Sequence, residues 1–295
     1  MASSSNFFVI IFTAIAEVLR WLFGGKRDKV ELKDHIFTSL FFPRPGGPYV
    51  NGTVDGTWGY LNLTKNQQAD CRKYIKANAA DGETPAILFL LTPSAEAGMI
   101  FNPFPTVDAN NLKRATEAIE LLVKDGIAVF PTLYTDDQNP VWWDIEHHRI
   151  GWSTVHAAIG KHVNGYVLSI EGNERVTTLA KLEACITSMR THLPGVDYYC
   201  AHMQFNSKST KSSYRWNNQA TVPKNIDILF VENSWPPQRG DTVGLAKAKS
   251  EYLTINGAIP ANIKRVFHEY NINPSSNVYK EQRQFLRDRQ PFGVS

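Results

Sequence analysis

Short apolar runs alternate with longer amphipathic stretches along most of this chain, and the two kinds of segment have different periods. The runs at 35–42, 86–91, 127–133, 166–170, 196–201, 226–231 and 265–269 have the length and the β-branched and aromatic content of buried strands. Between them, apolar residues fall three and four apart. Leu112, Ala115, Ile119 and Leu122 form one such set, and Trp152, Val155 and Ile159 another. Leu179, Leu182, Ile186 and Met189 make a third, and Leu245, Ala248 and Tyr252 a fourth. This spacing puts each set on one face of a helix. A further helix is expected over 66–78, after the first strand.

Stop and start signals agree with these periods. Asp108 stands where an N-cap is needed, Asp125–Gly126 ends the same helix, and Leu193–Pro194–Gly195 ends another. From residue 86 onward the apolar runs recur every 30 to 40 residues or so, the length of one strand–helix unit. Strands alternating with helices predict an α/β fold with a parallel sheet covered by helices. Seven strands and a short eighth within 291–295 fit a (β/α)8 TIM barrel with no final helix. A doubly wound open sheet is the second arrangement, but no GxGxxG follows a strand.

The stretch between Phe7 and Phe23 is apolar except at Thr13, Glu17 and Arg20, and it predicts an extra N-terminal apolar helix. It is short for a membrane span of about 20 residues. It also lacks the cationic start and small-residue cleavage site of a signal peptide. Three docking places remain open: its own barrel, across the gap left by the absent final helix; a partner protein assembly; or a membrane surface. The expected organisation is therefore an N-terminal helix and linker over 1–32 and a barrel catalytic domain over 33–295.

Composition narrows the function classes. With 43% apolar residues, 295 residues can bury a sizeable core. Lys and Arg outnumber Asp and Glu by 31 − 28 = 3, too small an excess for wholesale nucleic-acid binding, so an uncharged or mixed ligand is expected. Cys71, Cys185 and Cys200 lack any CxxC or Cys/His ligand spacing, so buried free thiols are expected, with no metal and no cofactor. No GxSxG elbow or phosphate-binding loop occurs, and His147–His148 falls inside a predicted helix. Residues 203–224 hold Lys208, Lys211, Arg215 and Lys224 with no acid. They read either as a solvated surface segment or as a lid over the barrel mouth.

Barrels of this type build their sites at the C-terminal ends of the strands. The residues leaving the predicted strands are unusually polar: Tyr134 after the third, Glu171 and Glu174 after the fourth, His202 after the fifth. Glu232, Asn233 and Trp235 follow the sixth, and Glu269 and Tyr270 the seventh. If Gly165, Val167 and Ser169 face the barrel interior, alternation carries Glu171 to the rim on the same side. The same reasoning groups Phe230 with Glu232 and Phe267 with Glu269. Carboxylates crowded in one pocket repel, so one should keep its proton near neutrality, as a general acid requires. The competing expectation is a rim ion pair of Glu171 or Glu232 with Arg175 or Arg265.

Gly172–Asn173–Glu174 and His268–Glu269–Tyr270 resemble the paired motifs of one clan of (β/α)8 glycoside hydrolases. That clan keeps Asn–Glu after the fourth strand and a nucleophilic Glu at the end of the seventh. The resemblance implies a glycoside hydrolase acting on a poly- or oligosaccharide. Glu174 would be the acid/base and Glu269 the nucleophile of a retaining mechanism, with carboxyls about 5 Å apart. Asn173, His202, Glu232, Asn233, Trp235, Tyr270 and Tyr134 would bind the carbohydrate, and an extracellular or surface location would suit it. Arg175 stands where the clan often has Pro, and Glu171 is an extra acid. If Glu171 is the acid, residues 164–171 look like the fourth strand of chitinase-type barrels with its aspartates replaced. That favours a non-catalytic carbohydrate-binding or structural barrel, within a surface or viral assembly.

Overall fold

The computed structural model describes residues 29–39, 60–91, 100–101, 104–134, 144–169, 178–204, 219–233, 252–269, 284–289 and 292–294, with 250 and 281 beside them. Eight parallel strands close into a barrel in chain order. They are β1 (His35–Ser39), β2 (Glu83–Leu90), β3 (Ala128–Tyr134) and β4 (Gly165–Ser169). β5 (Tyr198–Gln204), β6 (Ile228–Asn233), β7 (Lys264–Glu269) and β8 (Gly293–Val294) complete it. Two residues suffice for β8 because Gly293 is in register with Val266 on one side and Ile36 on the other. Closure removes both sheet edges and rules out the open doubly wound sheet.

The helices start where side chains can satisfy their free N–H groups. In α1 (Lys65–Asn78), Thr64 and Gln67 form a reciprocal capping box. The Asp108 carboxylate accepts from the Asn111 N–H at 2.8 Å to open α2 (Ala109–Lys124). Asp144 does the same for His147 at α3 (Ile145–Ile159), and Thr178 for Lys181 at α4 (Leu179–His192). After α2 the chain turns through Gly126 at φ +77°, a left-handed conformation that a side chain would oppose. A short helix, α5, covers 252–257, and a helical turn covers 284–287.

Along the described strands both faces are largely buried, the outer faces of β4 and β7 against α3 and α5. Tyr166 faces outward, its ring 4.7 Å from that of Trp152 on α3. Phe130 and Phe230 face inward and meet edge-to-face at 5.6 Å. Ser169, His202, Phe230, Val266, Gly293 and Ile36 are successive register partners around the barrel, so they share the inward side. Phe267 points the other way, its ring 4.9 Å from that of Tyr252 on α5. The expectation that Phe267 lines the pocket side of β7 is thus corrected. The inward side of β7 is that of Val266, because pairing with Phe230 fixes its parity.

Residues 29–33 form the floor of the barrel, a feature with no apolar period to announce it. Lys29 bonds Asp197 at the start of β5, and the Asn164 side-chain amide donates to the Val30 carbonyl at 2.7 Å. The Lys33 N–H donates to Thr84 Oγ1 at 2.8 Å. Val30, within this strap, is buried. At the closing seam, Arg287 grips Glu83 through two bonds of 2.8 and 2.7 Å and also donates to the Asn78 carbonyl. The predicted helix between Phe7 and Phe23 lies outside the described residues. No helix among the described residues is long and apolar enough to cross a membrane.

Candidate active site

All eight strands being parallel, their C-terminal ends gather at one pole, and the expected polar residues mark that pole. Tyr134 is the last residue of β3, Asn233 of β6 and Glu269 of β7. Register aligns Tyr134 with Ser169, Gln204 with Glu232, Glu232 with His268 and Asn233 with Glu269. The chain leaves β4 at Ser169, two residues before Glu171 and five before Glu174. Glu171, Asn173, Glu174, Trp235 and Tyr270 lie outside the described residues, as does most of the basic segment 203–224.

Beneath this rim the lumen has a small polar layer. The Ser169 hydroxyl and His202 Nδ1 lie 2.9 Å apart, and neither side chain is exposed. Thr132, also buried, donates its hydroxyl to the Phe130 carbonyl at 3.0 Å. Burial alone pushes the His202 imidazole down to about 3, so it is neutral throughout the physiological range. Sequence reasoning found His202 as a strand-end residue but not its partner. Ser169 was legible only as an inward position, with no signal that it meets β5.

Other catalytic chemistries find little support here. All three cysteines are buried and outside any disulfide, and burial pushes the Cys71 and Cys185 thiols up to about 12 and that of Cys200 well up, which disfavours a thiolate nucleophile. Among the described residues, no three His, Cys, Asp or Glu converge as metal ligands. The Arg265 guanidinium donates to Asn256, to its side-chain oxygen at 2.7 Å and its carbonyl at 3.2 Å.

No family model matches the chain, and no curated protein matches it. Solved structures do. A glycoside hydrolase family 5 enzyme from Prevotella bryantii B14, solved with a xyloglucan tetradecasaccharide, superposes with TM-score 0.55 at 10% identity, covering 90% of each chain. The AHE enzyme from Alicyclobacillus herbarius gives TM-score 0.53 at 10% identity, over 90% of this chain and 87% of that one. A beta-glucosidase from Exiguobacterium marinum gives 0.50 at 8%, over 92% and 89%. At such identities the likeness establishes the architecture: the chain has the (β/α)8 barrel fold found in glycoside hydrolases.

Proposed function

We propose that this protein is a retaining glycoside hydrolase acting on a poly- or oligosaccharide at the C-terminal pole of the barrel. Glu174 gives its proton to the departing glycosidic oxygen, and Glu269 attacks the anomeric carbon from the opposite face of the sugar. Water, deprotonated by Glu174, then releases the glycosyl-enzyme with net retention. Asn173, Asn233 and Tyr270 hold hydroxyls at the rim, Trp235 stacks on a sugar face, and Tyr134 and Glu232 close the pocket. His202, neutral and anchored by Ser169, forms its floor.

The observation carrying this reading is the strand closure. It brings the exits of β4, β6 and β7, at positions 169, 233 and 269 of the sequence, to one pole. A panel of β- and α-linked glycans tests it, with product anomers followed by NMR. Hydrolysis with retention, abolished in Glu269→Gln and Glu174→Gln, is expected. Activity unchanged in both variants would end the assignment.

One observation favours a second reading, a carbohydrate-binding or structural barrel. Phe267 packs against Tyr252 outside the barrel, and by strict alternation position 269 has the same parity. A catalytic Glu269 therefore depends on the chain leaving strand geometry as β7 ends. Glycan binding without turnover, unaltered in Glu269→Gln, is the result that would select the binding protein.

A further inference from the structure

The opposite pole carries a groove of its own. Its volume is about 610 Å³, within the range of small-molecule sites, and it opens beside the floor strap and the first residues of β5 and β7. Four cationic side chains line it, Lys33, Lys264, Arg265 and Arg289, against one carboxylate, Asp34. The excess is 4 − 1 = 3, as large as the +3 of the entire chain, so the rest of the molecule is balanced overall.

Three of these cations are held in place by neutral groups. Lys264 Nζ lies 4.3 Å from the centre of the Phe292 ring and 4.9 Å from that of Tyr198, and it donates to the Tyr198 hydroxyl at 3.2 Å. Arg265 is fixed by Asn256. The Arg289 guanidinium sits 3.4 Å over the Phe285 ring and donates to the Phe285 carbonyl. Among the described residues none of the four is paired with a carboxylate. Arg265 is half-buried, and burial pulls its guanidinium below the usual arginine range. Cations preorganised on rings and amides, with no carboxylate partner among the described residues, are what an anion site requires.

We propose that this groove binds a phosphomonoester, with Lys264, Arg265 and Arg289 around the phosphate and the remainder of the ligand against Tyr198 and Tyr252. A phosphomonoester carries close to two negative charges at neutral pH, which matches a +3 site better than a single carboxylate does. The groove is too large for inorganic phosphate alone, and its amides at Asn256 and Asn262 can accept and donate to a hydroxylated body. The proposal is independent of the glycosidase reading, since it concerns the other end of the strands.

Isothermal titration with glucose 6-phosphate, inorganic phosphate and glucose tests it, beside flotation with vesicles containing phosphatidic acid or phosphatidylcholine alone. Saturable binding of glucose 6-phosphate, stronger than that of phosphate, assigns a soluble ester. Flotation only with phosphatidic acid assigns the same chemistry on a lipid headgroup. Either response should weaken at least tenfold in Arg289→Gln and in Lys264→Gln, with far-UV circular dichroism confirming the fold, and should be unchanged in Lys124→Gln on α2. Absence of saturable binding to both sources, or equal binding by Arg289→Gln and Lys264→Gln, overturns the proposal.

Discussion

Ser169 and His202 meet inside the barrel just below its C-terminal rim, Oγ to Nδ1 at 2.9 Å, on register-paired positions of β4 and β5 and without solvent contact. Their bond joins the strand that leads to Glu171 and Glu174 with the strand beside it. It also sets the charge state of the lumen. A protonated imidazole there would be a desolvated cation, so burial depresses its proton affinity from the ordinary 6.5 to about 3.

A definite pH dependence follows from that depression. The unfolded chain takes up the His202 proton below pH 6.5 while the native protein does not, until about 3. Stability is therefore complete above pH 6.5 and falls as the pH drops below it, by up to about 1.4 kcal/mol per pH unit for this proton. His202→Asn keeps a polar atom near Nδ1 but cannot titrate. Urea denaturation from pH 7.5 to 4.5 should find the wild type more stable at the upper end, with the gap closing by about that slope below 6.5. A gap constant across the range would show that His202 is not the titrating group.

Gly165 opens β4 where no side chain fits. A Cβ there would stand 2.5 Å from the Tyr198 carbonyl oxygen and 3.2 Å from the Phe130 ring. The first neighbour is backbone of the adjoining strand and cannot swing aside. Gly165→Ala should cost about 2 kcal/mol or more through overpacking. Thermal melts are the check, and a wild-type melting temperature would contradict the close β4–β5 approach.

The periods of this sequence carried the architecture. Runs such as 166–170 and stripes such as Leu112–Ala115–Ile119–Leu122 reflect burial on two faces and on one, and burial is what a barrel imposes. Strand limits were less legible where polar residues enter the ladder. β2 starts at Glu83, three residues before its apolar run, because Arg287 neutralises that carboxylate from far along the chain. β5 runs on to Gln204 because His202 is satisfied by Ser169 in the lumen. Phe267 lies on the helix side of β7, which its residue type does not announce, since an aromatic residue suits the lumen and the helix layer equally well. Candidate acids could be recognised at strand ends by type alone, whereas their orientation depends on neighbours that sequence spacing does not name.

The seam between Arg287 and Glu83 makes a separable prediction. Both side chains are largely buried and the pairing is bidentate, so removing one partner strands the other without its counter-charge. Glu83→Ala is expected to lower stability by about 3 kcal/mol, and Arg287→Ala by a similar amount. The double variant should cost much less than the sum, because neither charge is then left alone. Additive losses in a double-mutant cycle would mean that the contact contributes little.

The two candidate acids after β4 can be told apart by the leaving group. A general acid matters most when the departing alcohol is a poor leaving group, and little when it departs as a stable anion. If Glu174 protonates the glycosidic oxygen, Glu174→Gln should slow hydrolysis of an unactivated glycan by about 10²- to 10⁴-fold yet leave cleavage of the matching 2,4-dinitrophenyl glycoside nearly intact. Glu171→Gln should change both rates by the same modest factor, through binding. Glu269→Gln should abolish both, since no choice of leaving group replaces a nucleophile. The opposite pattern, with selective loss on the poor leaving group in Glu171→Gln, would transfer the acid role to Glu171. It would place the proton donor two residues beyond Ser169 in the sequence.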